Sequence, residues 1–231
     1  MLKDLFKKRK FTLKDLSILN KYKSLYKTSL REWLIYHHKE IVFNNMHWMG
    51  VRILKNPMDL WVYQEILFEV KPDIVIEIGS ANGGSTLYLA NILDCLNSGK
   101  IISIDIDRSN YKVSHERIVC ITGDSLSEEV INEVKSLCLN KKVLVIHDGD
   151  HTEESVYKNL IIYSEFVTSK SYFIVEDSII DIFTVEEGIG GHSGPLNAVL
   201  EFLKVNQSFT IDDKREKYLL TYNQCGFLKR N

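Results

Sequence analysis

Cysteine is scarce in this chain, with four residues in 231. Cys95, Cys120, Cys138 and Cys225 contain no CxxC pair and outline no disulfide framework. A small cystine-stapled domain is thereby excluded, and reduced thiols in a cytosolic protein are the simpler reading. A chain of this length buries a sizeable core without such staples. Long apolar runs are also lacking. No window approaches the ~20 apolar residues that a spanning helix needs. The basic N-terminus has no apolar stretch of signal-peptide length. A secreted or membrane-spanning protein is therefore not expected. Only three prolines occur, and no Pro/Gly-rich linker, internal repeat or low-complexity tract interrupts the chain. Length and composition suit one α/β domain with an extension, or two small domains. The formal net charge is only −2, and no nucleic-acid partner is expected.

What charge there is lies unevenly. Residues 1–40 hold 11 Lys/Arg against 4 Asp/Glu, whereas the remainder holds 18 against 27. Such asymmetry marks either a basic arm that meets an anionic partner or membrane surface, or a helical extension that packs on its own domain or a neighbouring subunit. Leu13, Leu16, Ile18, Leu19, Leu25 and Leu30 supply the arm with apolar residues to bury, unlike a disordered tail. The expected organisation is a basic helical arm over residues 1–42 and one domain over 43–231, in a homo-oligomer. The expected location is cytoplasmic, with the arm as a peripheral contact to the inner face of a membrane.

After an irregular stretch, Pro57 opens "PMDLWVYQEILFEVKPD", where Leu60, Tyr63, Ile66, Leu67 and Val70 recur at helical spacing until Pro72. From Asp73 the pattern changes. Short Ile/Val-rich runs at 74–79, 100–106, 117–123, 142–148 and 171–177 are apolar on both faces, as in a parallel sheet covered by helices. Helical stretches lie between them at 84–97, 127–139 and 152–168. This is the βαβ alternation of a doubly wound α/β fold. After a helix near 195–205, "SFTIDD" (208–213) and "KYLLTYN" (217–223) are separated too briefly for a helical crossover, which predicts an antiparallel hairpin. A mostly parallel sheet closed this way resembles the Rossmann-like methyltransferase fold.

The strand ends carry the chemistry. The first runs into "EIGSANGGST", with Glu77, Gly79, Gly83, Gly84 and Ser85. Glycines there let the backbone turn tightly beside a ligand, and the following helix offers free N–H donors. The spacing is not GxGxxG. An acid at Glu77 would repel a pyrophosphate but suits the cationic amine of S-adenosylmethionine. The second strand ends in "IDID", where Asp105, ahead of Asp107, is placed to accept from ribose hydroxyls. The third ends in "TGDS", so Asp124 and Ser125 are candidates for the adenine edge or for a helix N-cap. The fourth ends in His147-Asp148-Gly149-Asp150-His151 and the fifth in Glu176-Asp177. If these strands are parallel neighbours, Asp148, Glu176 and Asp177 can offer oxygen to one hard cation such as Mg²⁺. Without a cation the acids would repel one another. His151, where the next helix begins, is free to act as a general base. Asp150 is an alternative ligand to Asp148.

Together these motifs resemble the cephalosporin hydroxylase/rhamnosyl O-methyltransferase family, which is similar in turn to metal-dependent macrolide-sugar O-methyltransferases. The resemblance covers residues 43 to 230 and rests on "NPMDLWVYQEILFEVKPDIVIEIGSANGGST", "ISIDID", "GDS", "DGDHT", "IVEDS", "GPLNAVLEFL" and "REKYLLTYNQCGFLKR". It implies S-adenosylmethionine at Glu77, Gly79, Ser85, Asp105 and Asp124, Mg²⁺ at Asp148, Glu176 and Asp177, and His151 as base. It also implies a loop over the site at "EEGIGGHSGP" (186–195). The expected reaction is methyl transfer to a hydroxyl, on a sugar or glycan-type acceptor. Two alternatives use the same residues: an Fe(II)- or NAD-dependent oxidoreductase, and a non-catalytic cofactor-binding subunit docked through its arm.

Overall fold

The computed structural model describes residues 13–231; the first twelve residues of the basic arm lie outside the described residues. Seven strands form one sheet: β1 (Ile74–Ile78), β2 (Lys100–Asp105), β3 (Ile118–Thr122), β4 (Val143–His147), β5 (Tyr172–Val175), β6 (Phe209–Ile211) and β7 (Phe227–Arg230). Their order across the sheet is β3-β2-β1-β4-β5-β7-β6. The first five are mutually parallel, and β7 runs antiparallel to both β5 and β6. This is the sheet that the motifs imply, with each of the five parallel strands inside its expected range.

Alternate residues of the central strands feed two cores. Ile76, Val145 and Phe173 pack on one face with Val156, Leu160 and Phe202. Val75, Leu144 and Ile174 pack on the other with Ile66, Leu67 and Leu93. Burial on both faces explains why the strands read as continuous apolar runs rather than alternating ones. The covering helices are α3 (Pro57–Val70), α4 (Gly84–Cys95), α5 (Glu128–Leu137), α6 (Glu153–Tyr163) and α7 (Pro195–Val205). Asn56 caps α3 by accepting from the Met58 N–H at 3.1 Å, Pro57 takes the first helical position, and Lys71 ends it in a left-handed conformation. Helix α6 is shorter than its apolar pattern predicts. Phe166 and Val167 donate to the carbonyls of Tyr163 and Ser164 in turns, which ends the helix while keeping Val167 in the core.

The C-terminal hairpin needs a correction. Its first strand lies inside "SFTIDD", but the partner is Phe227–Arg230 and not "KYLLTYN". Residues 217–223 have β-prone side chains but leave the sheet, because a buried acid captures them. Asp59, on the first turn of α3, accepts from Thr221 Oγ1 at 2.5 Å and from the Tyr222 N–H at 2.8 Å. Asn223 Nδ2 donates to the buried Tyr63 hydroxyl at 2.9 Å. Burial pushes the Asp59 carboxyl up to about 7, against the pull of these donors.

The arm is helical in α1 (Leu13–Leu25) and α2 (Leu30–Tyr36), which runs on through a π-helical turn, His37–Val42, to a last α-turn at Phe43–Asn45. Ser29 and Glu32 form a capping box at the start of α2. Leu34 and Val42 are buried against Ile179, Ile180, Phe183 and Tyr222 of the domain. Arg31 clamps Glu187 through two bonds of 2.7 and 2.6 Å. Ile18, Leu25 and Leu30 stay exposed, with Tyr22 and Tyr26 beside them. Among the described residues, no helix is long and apolar enough to cross a membrane.

Replacing Asp59 with alanine leaves the Thr221 hydroxyl and Tyr222 N–H buried without an acceptor. A loss of ~2–3 kcal/mol in urea unfolding is expected, with the β7 amides losing a matching share of their hydrogen-exchange protection.

Candidate active site

The register across the central strands places the acidic ends side by side. Ile78 pairs with both Ile104 and His147, and His147 pairs with Val175. Gly79, Asp105, Asp148 and Glu176 therefore leave the sheet at one edge. Strand order reverses at β1, between β2 and β4, where open α/β sheets form a ligand crevice. Gly79 has φ +85°, and a Cβ there would meet the Asp148 carbonyl oxygen at 2.0 Å. Only glycine permits the first and fourth strand ends to approach this closely.

Asp105 anchors the turn after β1. Its Oδ2 accepts from the N–H groups of Ser80 and Ala81, each at 2.8 Å, and from Ser80 Oγ at 3.2 Å. Its Oδ1 accepts from the Asp107 N–H at 3.0 Å. Burial disfavours the charge, but these donors outweigh it and hold the carboxyl below its ordinary range. Asp105, expected from the sequence to accept from ribose hydroxyls, here spends both oxygens on donors of the turns beside it.

A cavity of about 730 Å³ opens over this edge, lined among others by Gly79, Asn82, Asp105, Asp124 and Ser125. Its size is within the range for small-molecule sites. Ser125 Oγ donates to Asn159 Oδ1 at 2.9 Å, and Asp124 accepts from the Leu126 N–H at 2.9 Å, as an N-terminal turn before α5. Glu77 and Ser85 are not on this wall. Glu77 is fully buried beneath α4, where Thr86 Oγ1 donates to its Oε2 while Oε1 has no partner. Burial raises its pKa, against the attraction of Lys55. Ser85 lines a second cavity.

That second cavity, about 340 Å³, adjoins the first at Ala81, Asn82 and Asp148. On its wall Asp148, His151 and Asp177 converge, with ligating atoms all within 4.8 Å of one another. His151 Nε2 lies 3.5 Å from Asp177 Oδ2 and 3.9 Å from Asp148 Oδ1. Asp177 has φ +56°, a left-handed conformation at the end of β5, with its N–H donating to Asn223 Oδ1 at 3.2 Å. Strain of this kind clusters at functional sites. Burial raises the Asp177 carboxyl, with His151 opposing. Asp150 is turned away from this cluster. Its carboxylate accepts from the Thr152 N–H at 3.1 Å and from Thr152 Oγ1 at 3.0 Å, at the start of α6.

Glu176 is buried and faces Lys55, whose Nζ is 2.6 Å from its Oε1 in an ion pair outside hydrogen-bond alignment. Lys55 also donates to Asp148. Only 3% of Lys55 is exposed, so burial works against its charge; Asp148, Glu176 and Glu77 overcome that and raise its pKa. Sequence reasoning missed Lys55, because a lone lysine in "ILKNP" belongs to no pattern. It missed Asp181 too, whose carboxylate accepts from the N–H groups of Gly194 (2.8 Å) and Leu196 (2.9 Å) and caps α7 from the far side of the 186–195 loop.

Comparison with known proteins places the chain in a family. Residues 40–231 match the family described as rhamnosyl O-methyltransferase/CmcI. The rhamnosyl O-methyltransferase of Mycobacterium leprae (strain TN) is 30% identical over 206 residues, covering 86% of this chain and 89% of that one. The protein of the same name from Mycobacterium tuberculosis (strain ATCC 25618 / H37Rv) is 29% identical over 208 residues, covering 87% and 84%. Among solved structures, a CmcI structure described as Mg-SAM superposes with TM-score 0.64 at 22% identity, covering 82% of this chain and 78% of that one. A putative caffeoyl-CoA O-methyltransferase from Staphylococcus aureus reaches 0.52 at 14% identity, covering 84% and 90%. The structural likenesses bear on the fold alone and make it a Rossmann-like methyltransferase fold.

Lys55→Met removes one ammonium from among buried carboxylates. In metal-free buffer it is expected to lower unfolding stability by ~3–5 kcal/mol, and added Mg²⁺ is expected to raise its melting temperature more than that of wild type. His147 gives a pH signature. It is fully buried with neither ring nitrogen partnered, and burial holds it down to about 3 from 6.5. The unfolded imidazole takes up a proton below 6.5 while the folded one resists until about 3, so stability is full above that window and is lost as pH falls through it. Urea titrations across the window are expected to show a shallower loss for His147→Gln than for wild type.

Proposed function

Because the chain belongs to the rhamnosyl O-methyltransferase/CmcI family, we propose that it is an S-adenosylmethionine- and Mg²⁺-dependent O-methyltransferase acting on a hydroxyl of a sugar-type acceptor. One observation carries the reading: Asp148, shared by both cavities, stands with His151 and Asp177 at the point where the cavities meet.

The residues fit a divalent cation. Asp148 and Asp177 offer ligating atoms within 4.8 Å of one another and of His151, while Glu176 shares the Lys55 ammonium with Asp148. Oxygen donors of this kind suit Mg²⁺, so the three acids would hold it. When bound, Mg²⁺ supplies a Lewis acid that makes a sugar hydroxyl more acidic. Lys55 orients Asp148 and Glu176 through its ion pairs. Binding of the cation would then compete with Lys55 for the Asp148 and Glu176 oxygens.

The larger cavity suits S-adenosylmethionine, whose sulfonium supplies an electrophilic methyl. Asp105 keeps the 79–83 turn in place, and Asp124 and Ser125 offer polar atoms on the far wall. Gly79 keeps the floor low beside Asp148. Glu77, with its unpartnered oxygen beneath α4, lies behind the walls of both cavities. Ser85 belongs to the acceptor side.

His151 acts as general base. Its Nε2 takes the hydroxyl proton as the oxygen attacks the methyl carbon, and Asp177 at 3.5 Å steadies the imidazolium that results. Family membership disfavours the oxidoreductase and non-catalytic alternatives. The exposed apolar residues Ile18, Leu25 and Leu30 support the further proposal of a homo-oligomer.

Transfer of labelled methyl from S-adenosylmethionine to methyl glycosides tests the reading. His151→Gln is expected to lower kcat by ~10²–10⁴, and both EDTA and Asp148→Ala are expected to abolish transfer. Transfer that survives EDTA and Asp148→Ala alike would falsify the metal-assisted reading.

A further inference from the structure

The 340 Å³ cavity has an owner that the strand-end motifs do not reveal. One wall comes from the acidic cluster. Another comes from the arm, where His38, Val42 and Phe43 line the cavity together with Tyr222 of the displaced C-terminal loop. These arm residues sit on or beside the π-helical turn His37–Val42. A π-turn inserts an extra residue into the helix and re-aims the side chains around it, and such turns recur at functional sites.

The two adjacent histidines of this turn differ. His37 is satisfied: its ring stacks on Trp33 at 4.4 Å, and its Nδ1 shares a hydrogen bond of 2.8 Å with the Tyr222 hydroxyl. His38 is not. It is 9% exposed, and its Nδ1 is buried without a partner. Its ring lies 5.3 Å from Tyr222 and 4.8 Å from Phe43, centroid to centroid. Buried polar atoms are nearly always paired, so an orphan on a cavity wall points to a group that a ligand would bring. Burial pushes His38 down to about 4, with His37 and Lys39 adding to the effect. It is therefore neutral near pH 7, with one ring nitrogen donating and one accepting. A hydroxyl, which also donates and accepts, is its chemical match.

Charge narrows the ligand further. Lys55 on this wall is paired with Asp148 and Glu176, and Arg52 donates to the Phe43 carbonyl at 2.6 Å, a neutral partner that leaves its charge in place. With histidine neutral, Arg52 and Lys55 on this wall are matched by Asp148 and Asp177, so its formal charge is zero. A neutral sugar therefore meets no net charge on this wall. Phe43, 42% exposed, offers a ring to the C–H face of a saturated ring. A volume of 340 Å³ is near the lower end of small-molecule sites, which suits one sugar ring.

We propose that the π-helical turn of the arm is the acceptor-specificity wall, and that His38 hydrogen-bonds a hydroxyl of a single uncharged sugar ring held against Phe43 and Tyr222. This rests on the methyltransferase reading for the identity of the cavity as the acceptor site, but it is tested by binding alone. Isothermal titration with methyl α-D-mannoside, its 6-deoxy counterpart and its 6-carboxylate counterpart, in the presence of Mg²⁺ and S-adenosylhomocysteine, gives the direct measurement. Wild type is expected to bind both neutral glycosides and to bind the carboxylate no more tightly than either. His38→Phe is expected to weaken the neutral glycosides at least tenfold, His38→Asn to recover part of that loss, and S-adenosylhomocysteine affinity to stay unchanged throughout. Phe43→Ala provides a second variant should His38→Phe fail to fold.

Equal glycoside binding by wild type and both His38 variants overturns the proposal. So does tighter binding of the carboxylate, or failure of wild type to bind any of the three sugars. If binding depends on His38 but no methyl is transferred, the acceptor wall stands and the methyltransferase reading fails. In turnover, the same variants are expected to raise the acceptor KM with kcat held within about twofold, a split that a general loss of stability does not produce.

Discussion

A single buried ammonium organises the catalytic edge of this protein. Lys55 is almost wholly removed from water, yet it stays charged because Asp148 and Glu176 both contact it. Those acids arrive from different strands, and Lys55 arrives from the segment ahead of α3. Each of the three would be costly to bury alone. Their burial is tolerable only together, so the ends of β4 and β5 are tied to the loop that precedes α3. The close packing of Gly79 on Asp148 then ties β1 into the same knot. The geometry of both cavities follows from these contacts.

A second buried acid extends the order outward. Asp59 draws residues 221–223 over the site, and Tyr222 in turn engages His37. The arm thereby becomes part of the site rather than an appendage to it. Leu34 and Val42 seat it in a small apolar cluster, and Arg31 links it to the 186–195 loop through Glu187. Charged and apolar contacts are complementary here: the cluster supplies burial without direction, and the ion pair supplies direction with little burial.

Much of this was legible beforehand. The five parallel strands, the helices between them and the acidic ends at one edge could all be read from local pattern, because each strand is buried on both faces and each turn needs its own residues. Asp148, Asp177 and His151 do converge, and Gly79, Asp105, Asp124 and Ser125 do line the larger cavity. Other features were not legible. "KYLLTYN" has the composition of a strand, but Asp59 competes for its backbone and wins. Lys55 and Asp59 are isolated charged residues whose burial depends on partners more than 90 residues away. His38 lies in a helical arm whose local pattern says nothing about which face meets a cavity.

Sequence by itself therefore determined the five parallel strands and the acids at their ends. Strand periodicity and turn residues are local properties, encoded within a few positions. Tertiary structure alone decided that Asp148 and Asp177 meet His151 while Glu176 lies against Lys55, that Asp150 turns toward α6 while Asp148 does not, and that the arm closes the smaller cavity. Those outcomes depend on desolvation. A buried charge is stable only where distant segments bring it a counter-charge or a donor, and no local stretch of sequence states which segments will meet.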